Sequence, residues 1–98
     1  MDTQPAKQCL EEAIAAVSGP RNEDYGPPIE DFTCQADMMS AYLTRTNGQP
    51  VLVRPQDIPA LMICVKLARQ AHNPNPDNWR DAAGYAACGY EVDREIDS

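Results

Sequence analysis

Two basic residues near the middle of the chain have the spacing of an anion-binding pair. Lys66 and Arg69 are three residues apart in the sequence KLAR, and side chains with this spacing lie on the same face of a helix. An ammonium and a guanidinium on one face can bind a phosphate or a carboxylate through charge-assisted hydrogen bonds. The alternative is that both cations pair with carboxylates of a neighbouring helix.

Two acidic residues follow in the sequence DNWRD. Asp77 and Asp81 are four residues apart, so their carboxylates also share one helical face. Together with a further carboxylate such as that of Glu30, they could bind a magnesium ion. The alternative is that Asp77 stabilises the positive end of its own helix and that Asp81 pairs with Lys66 or Arg69.

The remaining candidates for ligand contact are an arginine and two aromatic residues. Arg21 and Tyr25 lie in the segment 19–28, GPRNEDYGPP. The guanidinium suits a phosphate, and the tyrosine ring can stack on a base. The alternative is a surface loop packed by its own tyrosine. Trp79, the only tryptophan, is expected to pack in the core or at a subunit interface, with stacking on a ligand as the alternative.

Four helices are predicted to position these residues. Apolar residues at helical spacing, bounded by proline and glycine, predict helices over 4–18, 29–45, 55–71 and 76–94. Asn75 is the expected N-cap of the last helix, with Pro76 at its first position. The apolar run 51–53 is either an edge strand or an extended linker. The predicted fold is an all-α, compact bundle of about four helices in a single domain, residues 1–98.

Two of these helices have well-marked apolar faces. They consist of Leu10, Ala13, Ile14 and Val17 in the first helix, and of Trp79, Ala83, Ala86 and Tyr90 in the last. The last helix also contains Gly84 and Gly89, each of which costs about 1 kcal/mol relative to alanine in a helix interior. A neighbour that approaches closely at one of these glycines would explain why this cost is tolerated.

The composition narrows the class of function. A formal net charge of −7 over 98 residues argues against long nucleic acids and anionic membranes, but not against a small anionic ligand in a local basic cluster. Four cysteines without a C-x-x-C pair predict buried free thiols rather than a zinc site. No apolar run reaches the roughly 18 residues of a membrane span, so a cytoplasmic protein is predicted. Homo-oligomerisation is expected, because a chain of this length buries only about 60–65% of its unfolded surface.

The motifs, taken in this order, resemble a family of small uncharacterised phage and prophage proteins. The resemblance rests on Arg21, Tyr25-Gly26 and Phe32, then on KLAR, and then on the run that begins at Asp77 and ends in DAAGYA. It extends over residues 20–92. It implies a phage-type protein in the cytoplasm of a host cell, and it implies no particular activity.

Two further likenesses are more distant. The first is to the MazG-like all-α nucleotide pyrophosphohydrolases, helical oligomers that bind magnesium with an E-x-x-E helix and an E-x-x-D helix. This chain has no E-x-x-E, because Thr33 stands three residues after Glu30, and its own pair Asp77 and Asp81 is spaced by four. The second, in type only, is to small helical phage oligomers that bind cyclic nucleotides or ADP-ribose-type signals between subunits and so block host immunity.

These observations favour binding over catalysis. The predicted function is a homo-oligomer that sequesters a nucleotide-derived small molecule, such as a host immune signal, in a pocket at a subunit interface. Its ligand-binding residues would be Arg21, Tyr25, Lys66, Arg69, Trp79 and Asp81, with no catalytic residue, metal or cofactor. One alternative is a magnesium-dependent MazG-like nucleoside triphosphate pyrophosphohydrolase that uses Glu30, Asp77 and Asp81. The other is an acidic protein that inhibits a host factor by protein–protein contact.

Overall fold

The computed structural model describes residues 2–18 and 26–97. These ranges contain four helices and no strand: α1 (Gln4–Ser18), α2 (Pro28–Asn47), α3 (Asp57–His72) and α4 (Pro76–Asp97). Each helix begins and ends within three residues of its predicted bounds. The all-α prediction is therefore confirmed for the described part of the chain, and no described helix is long and apolar enough to cross a lipid bilayer.

Local chemistry explains where the helices begin and end. Pro28 is the first residue of α2, where its missing N–H costs nothing. Gly48 ends the same helix with a φ of 78°, and its N–H donates to the carbonyl of Thr44 at 3.0 Å. The side chain of Asn75 accepts a hydrogen bond from the N–H of Asp77 at 2.9 Å, so the predicted N-cap of α4 is confirmed.

The apolar run 51–53 is an extended linker that lies along α2. The hydroxyl of Ser40 accepts from the N–H of Val53 at 2.8 Å and donates to its carbonyl at 3.2 Å. Thr44 makes the same pair of bonds to Val51, at 2.9 and 3.2 Å. Two hydroxyls thus satisfy backbone groups that a neighbouring strand would otherwise pair, and the linker alternative is the correct one.

α4 is the central element of the fold, since it contacts each of the other three helices. One buried cluster joins α4 to α2 and α3. It consists of Phe32 and Ala36 of α2, Ile58 of α3, and Cys88 and Val92 of α4. Ala13 of α1 is also buried. This is a small core for the described part of the chain, and burial of apolar surface is the main favourable term in folding.

The apolar faces predicted for α1 and α4 are only partly buried. In α1, Leu10 and Ile14 stay 58% and 61% exposed. In α4 the predicted face points outward, with Trp79 53% and Tyr90 69% exposed. An apolar face ordinarily packs on the core of its own chain. Here α4 carries two apolar faces, and the one that packs inside contains smaller side chains apart from Tyr85.

Close packing of the inner face depends on glycine. A β-carbon at Gly89 would lie 3.3 Å from Cγ of Pro59 in α3, and one at Gly84 would lie 3.7 Å from Cγ1 of Val17 in α1. The predicted close approach of a neighbour is therefore confirmed most clearly at Gly89. α4 contacts α3 on the side of Gly89 and α1 on the side of Gly84.

The bundle is less compact than predicted. Its radius of gyration is 15.3 Å and its extents are 51, 33 and 24 Å, whereas a compact domain of this length has a radius of gyration of about 12.6 Å. The thiols also differ from expectation. Only Cys88 is buried, while Cys34 and Cys64 are exposed. These cysteines lie on outer sides of α2 and α3, which pack through their other faces.

Candidate functional site

An ion pair joins α3 to α4 in the middle of the molecule. Nζ of Lys66 lies 3.0 Å from Oδ2 of Asp81, with the two side chains 14% and 30% exposed. Lys66 lies on the side of α3 that contacts α4, and Asp81 lies on the inner side of α4. The sequence left open whether Lys66 or Arg69 pairs with Asp81, and the structure shows that Lys66 does.

Arg80 extends the ion pair into a cluster. Its guanidinium lies 3.3 Å from Oδ1 of Asp81 and 3.3 Å from Oδ1 of Asp77. Each carboxylate oxygen of Asp81 therefore has its own cation, Lys66 on one and Arg80 on the other. Asp77 lies in the first turn of α4, where its charge also favours the helix dipole. We call Lys66, Asp77, Arg80 and Asp81 the charged cluster.

The charged cluster keeps Asp81 ionised. Partial burial raises the pKa of this carboxyl, but the hydrogen bonds and charges of Lys66 and then of Arg80 outweigh burial, so the pKa lies below its ordinary value of 3.8. At neutral pH Asp81 is a carboxylate that accepts hydrogen bonds and does not donate them. The cluster contains two cations and two carboxylates, so it adds no net charge to an acidic chain.

A cleft between α1 and α4 opens beside this cluster. Its volume is about 210 Å³. It is lined by Ala16 and Val17 of α1 and by Arg80, Asp81, Gly84, Tyr85 and Cys88 of α4. The cleft therefore has a guanidinium, a carboxylate and an aromatic ring on one wall and small apolar side chains on the other. We call it the α1–α4 cleft.

The other predicted ligand-binding residues lie apart from this cleft. Arg69 lies with His72 beside a separate depression at the C-terminal end of α3. Trp79 is on the outer side of α4. Arg21 and Tyr25 lie outside the described residues. The structure brings together Lys66 and Asp81 from the predicted set, and it places Arg69 and Trp79 on two different surfaces.

The carboxylates of the magnesium alternative do not gather either. Among residues 2–18 and 26–97 no three histidine, cysteine, aspartate or glutamate side chains form a group that could bind a metal ion. Glu30 is at the start of α2, beside a depression that Asp37 also lines. Asp77 and Asp81 are bound by Arg80 and Lys66. The described residues therefore do not fit a magnesium site.

Two residues of the cleft were not among the predicted ligand contacts. Arg80 and Tyr85 line it together with Asp81. Tyr85 follows Asp81 by four residues, and Cys88 follows it by seven. This is the spacing of one helical face. The signal was present in the sequence, but the larger apolar residues on the opposite side of α4 form a stronger pattern.

The fold and the site define a small all-α protein with an ion-pair cluster beside an open cleft. The chain belongs to the family DUF6378, a domain of unknown function, whose model matches residues 8–93. It is also 36% identical over 84 residues to the Gene 55 protein of Mycobacterium phage D29. This alignment covers 85% of the chain and 52% of the relative, so the chain spans about half the length of that phage protein.

These matches confirm the resemblance to an uncharacterised family with a phage member. The likeness to MazG-like pyrophosphohydrolases stays a prediction. No solved structure matches the chain.

Proposed function

We propose that the protein binds a small, phosphate-bearing, nucleotide-derived ligand in the α1–α4 cleft, and that it acts as a homo-oligomer in the cytoplasm of a host cell. The observation that carries the proposal is that two members of the charged cluster, Arg80 and Asp81, line the wall of an open cleft. Charged side chains held in place by one another are pre-organised for a ligand, because little side-chain entropy remains to be lost on binding.

The cluster offers both signs of charge to such a ligand. A phosphate would compete with the Asp81 carboxylate for the donors of Arg80 and Lys66, and a guanidinium can bind two phosphate oxygens at once. Asp81, still ionised, would accept a hydrogen bond from a ribose hydroxyl or a base amino group. Tyr85 offers a ring to a base. Each charge-assisted hydrogen bond contributes about 1.5–3 kcal/mol.

The size of the cleft indicates that one chain encloses only part of the ligand. Its 210 Å³ is below the roughly 300–1,000 Å³ of typical small-molecule pockets. Arg21 and Tyr25 follow Val17, in the cleft wall, by four and eight residues, which is within reach of an extended chain at about 3.3–3.6 Å per residue. We propose that these two residues contact the part of the ligand that the cleft leaves exposed.

Sequestration of the ligand is the role that fits this site, because the described carboxylates form no group that could bind a metal ion for catalysis. A phage relative gives a context in which capture of a host signal nucleotide would be useful. The net charge of −7 favours a small ligand over a long nucleic acid, whose phosphates would be repelled by most of the surface.

A capture assay tests the proposal directly. The full chain is incubated with a panel of nucleotides and cyclic signal nucleotides, with and without magnesium, and separated from unbound material. Heat then releases what was bound, and chromatography identifies it. We expect one class of nucleotide to be retained without magnesium and recovered intact. Release of a cleaved product only with magnesium would show hydrolysis instead, and retention of none would refute ligand binding.

Matched substitutions locate the site. Lys66→Met and Arg80→Met should weaken retention about tenfold or more, because one charge-assisted bond of about 1.5–3 kcal/mol is lost in each. Lys7→Met is the control, since Lys7 is exposed on α1. Circular dichroism checks that each variant is helical. Equal retention by all three variants would show that the ligand binds elsewhere.

A further inference from the structure

The outer side of α4 carries a second regular pattern that the cleft does not use. Trp79, Ala83, Ala86 and Tyr90 follow one another at spacings of four, three and four residues. We call these four residues the outer stripe. Alternating spacings of four and three residues are those of the contact positions in a pair of coiled helices. The two aromatic side chains of the outer stripe are more than half exposed, Ala86 is exposed and Ala83 is half-buried.

The surface area of the chain indicates how much area a partner molecule on the outer stripe could cover. The chain exposes 7085 Å², whereas a compact monomer of 10.8 kDa exposes about 5,500 Å² by the usual scaling with mass. The excess over that scaling is about 1,600 Å², and a stable interface of standard size takes about 800 Å² from each partner. The molecule therefore has enough surplus surface for one full interface with another copy.

The outer stripe is complementary to itself. The midpoint between Trp79 and Tyr90 is also the midpoint between Ala83 and Ala86. A twofold axis at this midpoint places Trp79 against the partner's Tyr90 and Ala83 against the partner's Ala86. Small residues then meet at the centre, where two helices can approach closely, and an aromatic pair lies at each end. Buried tryptophan and tyrosine are the residues that most often dominate interface energies.

The charges near the outer stripe favour an antiparallel over a parallel arrangement of the two α4 helices. Asp93 and Asp97 continue the outer stripe at the next two contact positions. In an antiparallel pair, Asp93 lies against the partner's Pro76, at the N-terminal end of the partner's α4. That end carries the positive pole of the helix dipole. In a parallel pair, each of these aspartates would lie against the same aspartate of the partner. Their repulsion would add to the repulsion between two chains that each have a net charge of −7.

We infer that the outer stripe of α4 is the contact between two copies of this chain, which pair antiparallel about a twofold axis midway between Ala83 and Ala86. The inference rests on the homo-oligomer in the proposed function and not on its ligand. The stripe and the α1–α4 cleft lie on opposite sides of α4, so the pair leaves both clefts open. Trp79 then contacts the partner rather than a base.

Mass in solution and the fluorescence of the single tryptophan test the inference together. At high protein concentration, sedimentation should give about twice the mass of one chain, 10.8 kDa. Dilution should shift the emission of Trp79 to the red, because the ring becomes exposed when the pair separates. Ala86→Glu puts a charge at the centre of the stripe and should give a monomer with red-shifted emission. Its helical circular dichroism should be unchanged, since Ala86 is exposed in one chain.

A matched variant on a rival surface completes the experiment. Leu61, Val65 and Ala68 form another exposed apolar face, on α3, and this face has no aromatic residue. Ala68→Glu should leave the pair intact. If Ala68→Glu separates the copies and Ala86→Glu does not, the oligomer stands but the assigned interface is wrong. A wild-type chain that stays monomeric at every concentration would refute both the interface and the homo-oligomer, while the ligand would still be judged by the capture assay.

Discussion

The two sides of α4 are opposite in chemistry and in burial. The inner side carries Asp81, Gly84, Cys88 and Val92, of which the last three are buried. The outer side carries Trp79 and Tyr90, which are exposed. Apart from Tyr85, which packs against the core, the larger apolar residues of α4 are thus on the surface and the smaller ones are inside. The difference shows that α4 buries the residues that let helices approach closely and leaves the rings of Trp79 and Tyr90 exposed.

The largest expected effect is a difference in the free energy of unfolding between a substitution on the inner side and one on the outer side. Val92→Ala removes buried methyl groups and leaves a cavity, which should cost roughly 2–3 kcal/mol of the free energy of unfolding. Trp79→Ala, measured at low protein concentration, should cost less than about 1 kcal/mol, because an exposed side chain loses few contacts. Urea denaturation followed by circular dichroism gives both values. Equal losses would contradict the assignment of inner and outer sides.

The next effect concerns the charge on the inner side. Lys66→Met removes one partner of a partly buried pair and should destabilise the fold by roughly 1–3 kcal/mol, because Asp81 keeps its charge with only Arg80 beside it. The double variant Lys66→Met with Asp81→Asn should recover part of this loss, since no orphan carboxylate remains. A double-mutant cycle in urea measures the coupling. Purely additive losses would show that the pair contributes nothing as a pair.

Acid should destabilise the fold by protonating the carboxyl of Asp81. The pKa of Asp81 in the folded chain is lowered below 3.8, as the Lys66 and Arg80 contacts outweigh burial. Its stabilisation is therefore complete above the unfolded pKa and is lost as the pH falls below about 4. Because the pair is partly exposed, the loss should be at most about 1 kcal/mol. In urea titrations at decreasing pH, Asp81→Asn should show a flatter decline than the wild type.

Asp57 should add to this acid sensitivity at the start of α3. Hydrogen bonds from Arg54, through its side chain and then its backbone N–H, hold the pKa of Asp57 below its ordinary value. The sign is the same as for Asp81, so protonation again weakens the fold as the pH falls. The same urea titrations test this. If Asp57→Asn leaves the loss of stability in acid unchanged while Asp81→Asn reduces it, the acid sensitivity comes from the inner side of α4 alone.

The smallest effect distinguishes the two glycines of the inner side. Gly84→Ala should stabilise the fold by about 0.5–1 kcal/mol, because alanine is the better helix former and a β-carbon at this position meets only Val17 at 3.7 Å. Gly89→Ala should gain less, since a β-carbon there would press on Pro59 at 3.3 Å. Thermal melts of the two variants give the order. A larger gain at Gly89 would show that Pro59 can move away freely.

Much of the fold was predictable because its signals are local. Prolines and glycines mark the helix ends, and Asn75 caps α4 as its position predicts. The candidate site was predictable only in part. The sequence offers Lys66 and Arg69 as partners for Asp81, and both have suitable spacing on α3. The choice depends on the rotation of α3 against α4, which no local pattern specifies.

The sequence by itself determined the four helices, their approximate ends and the acidic character of the chain, because backbone hydrogen bonding, proline geometry, capping and charge act over a few residues. Only the tertiary structure decided which side of α4 faces inward. Two helices approach one another as closely as their side chains allow, and the glycines of the inner side permit a closeness that Trp79 and Tyr90 would prevent. The same packing set Lys66 against Asp81 and left the aromatic side of α4 uncovered within the described chain.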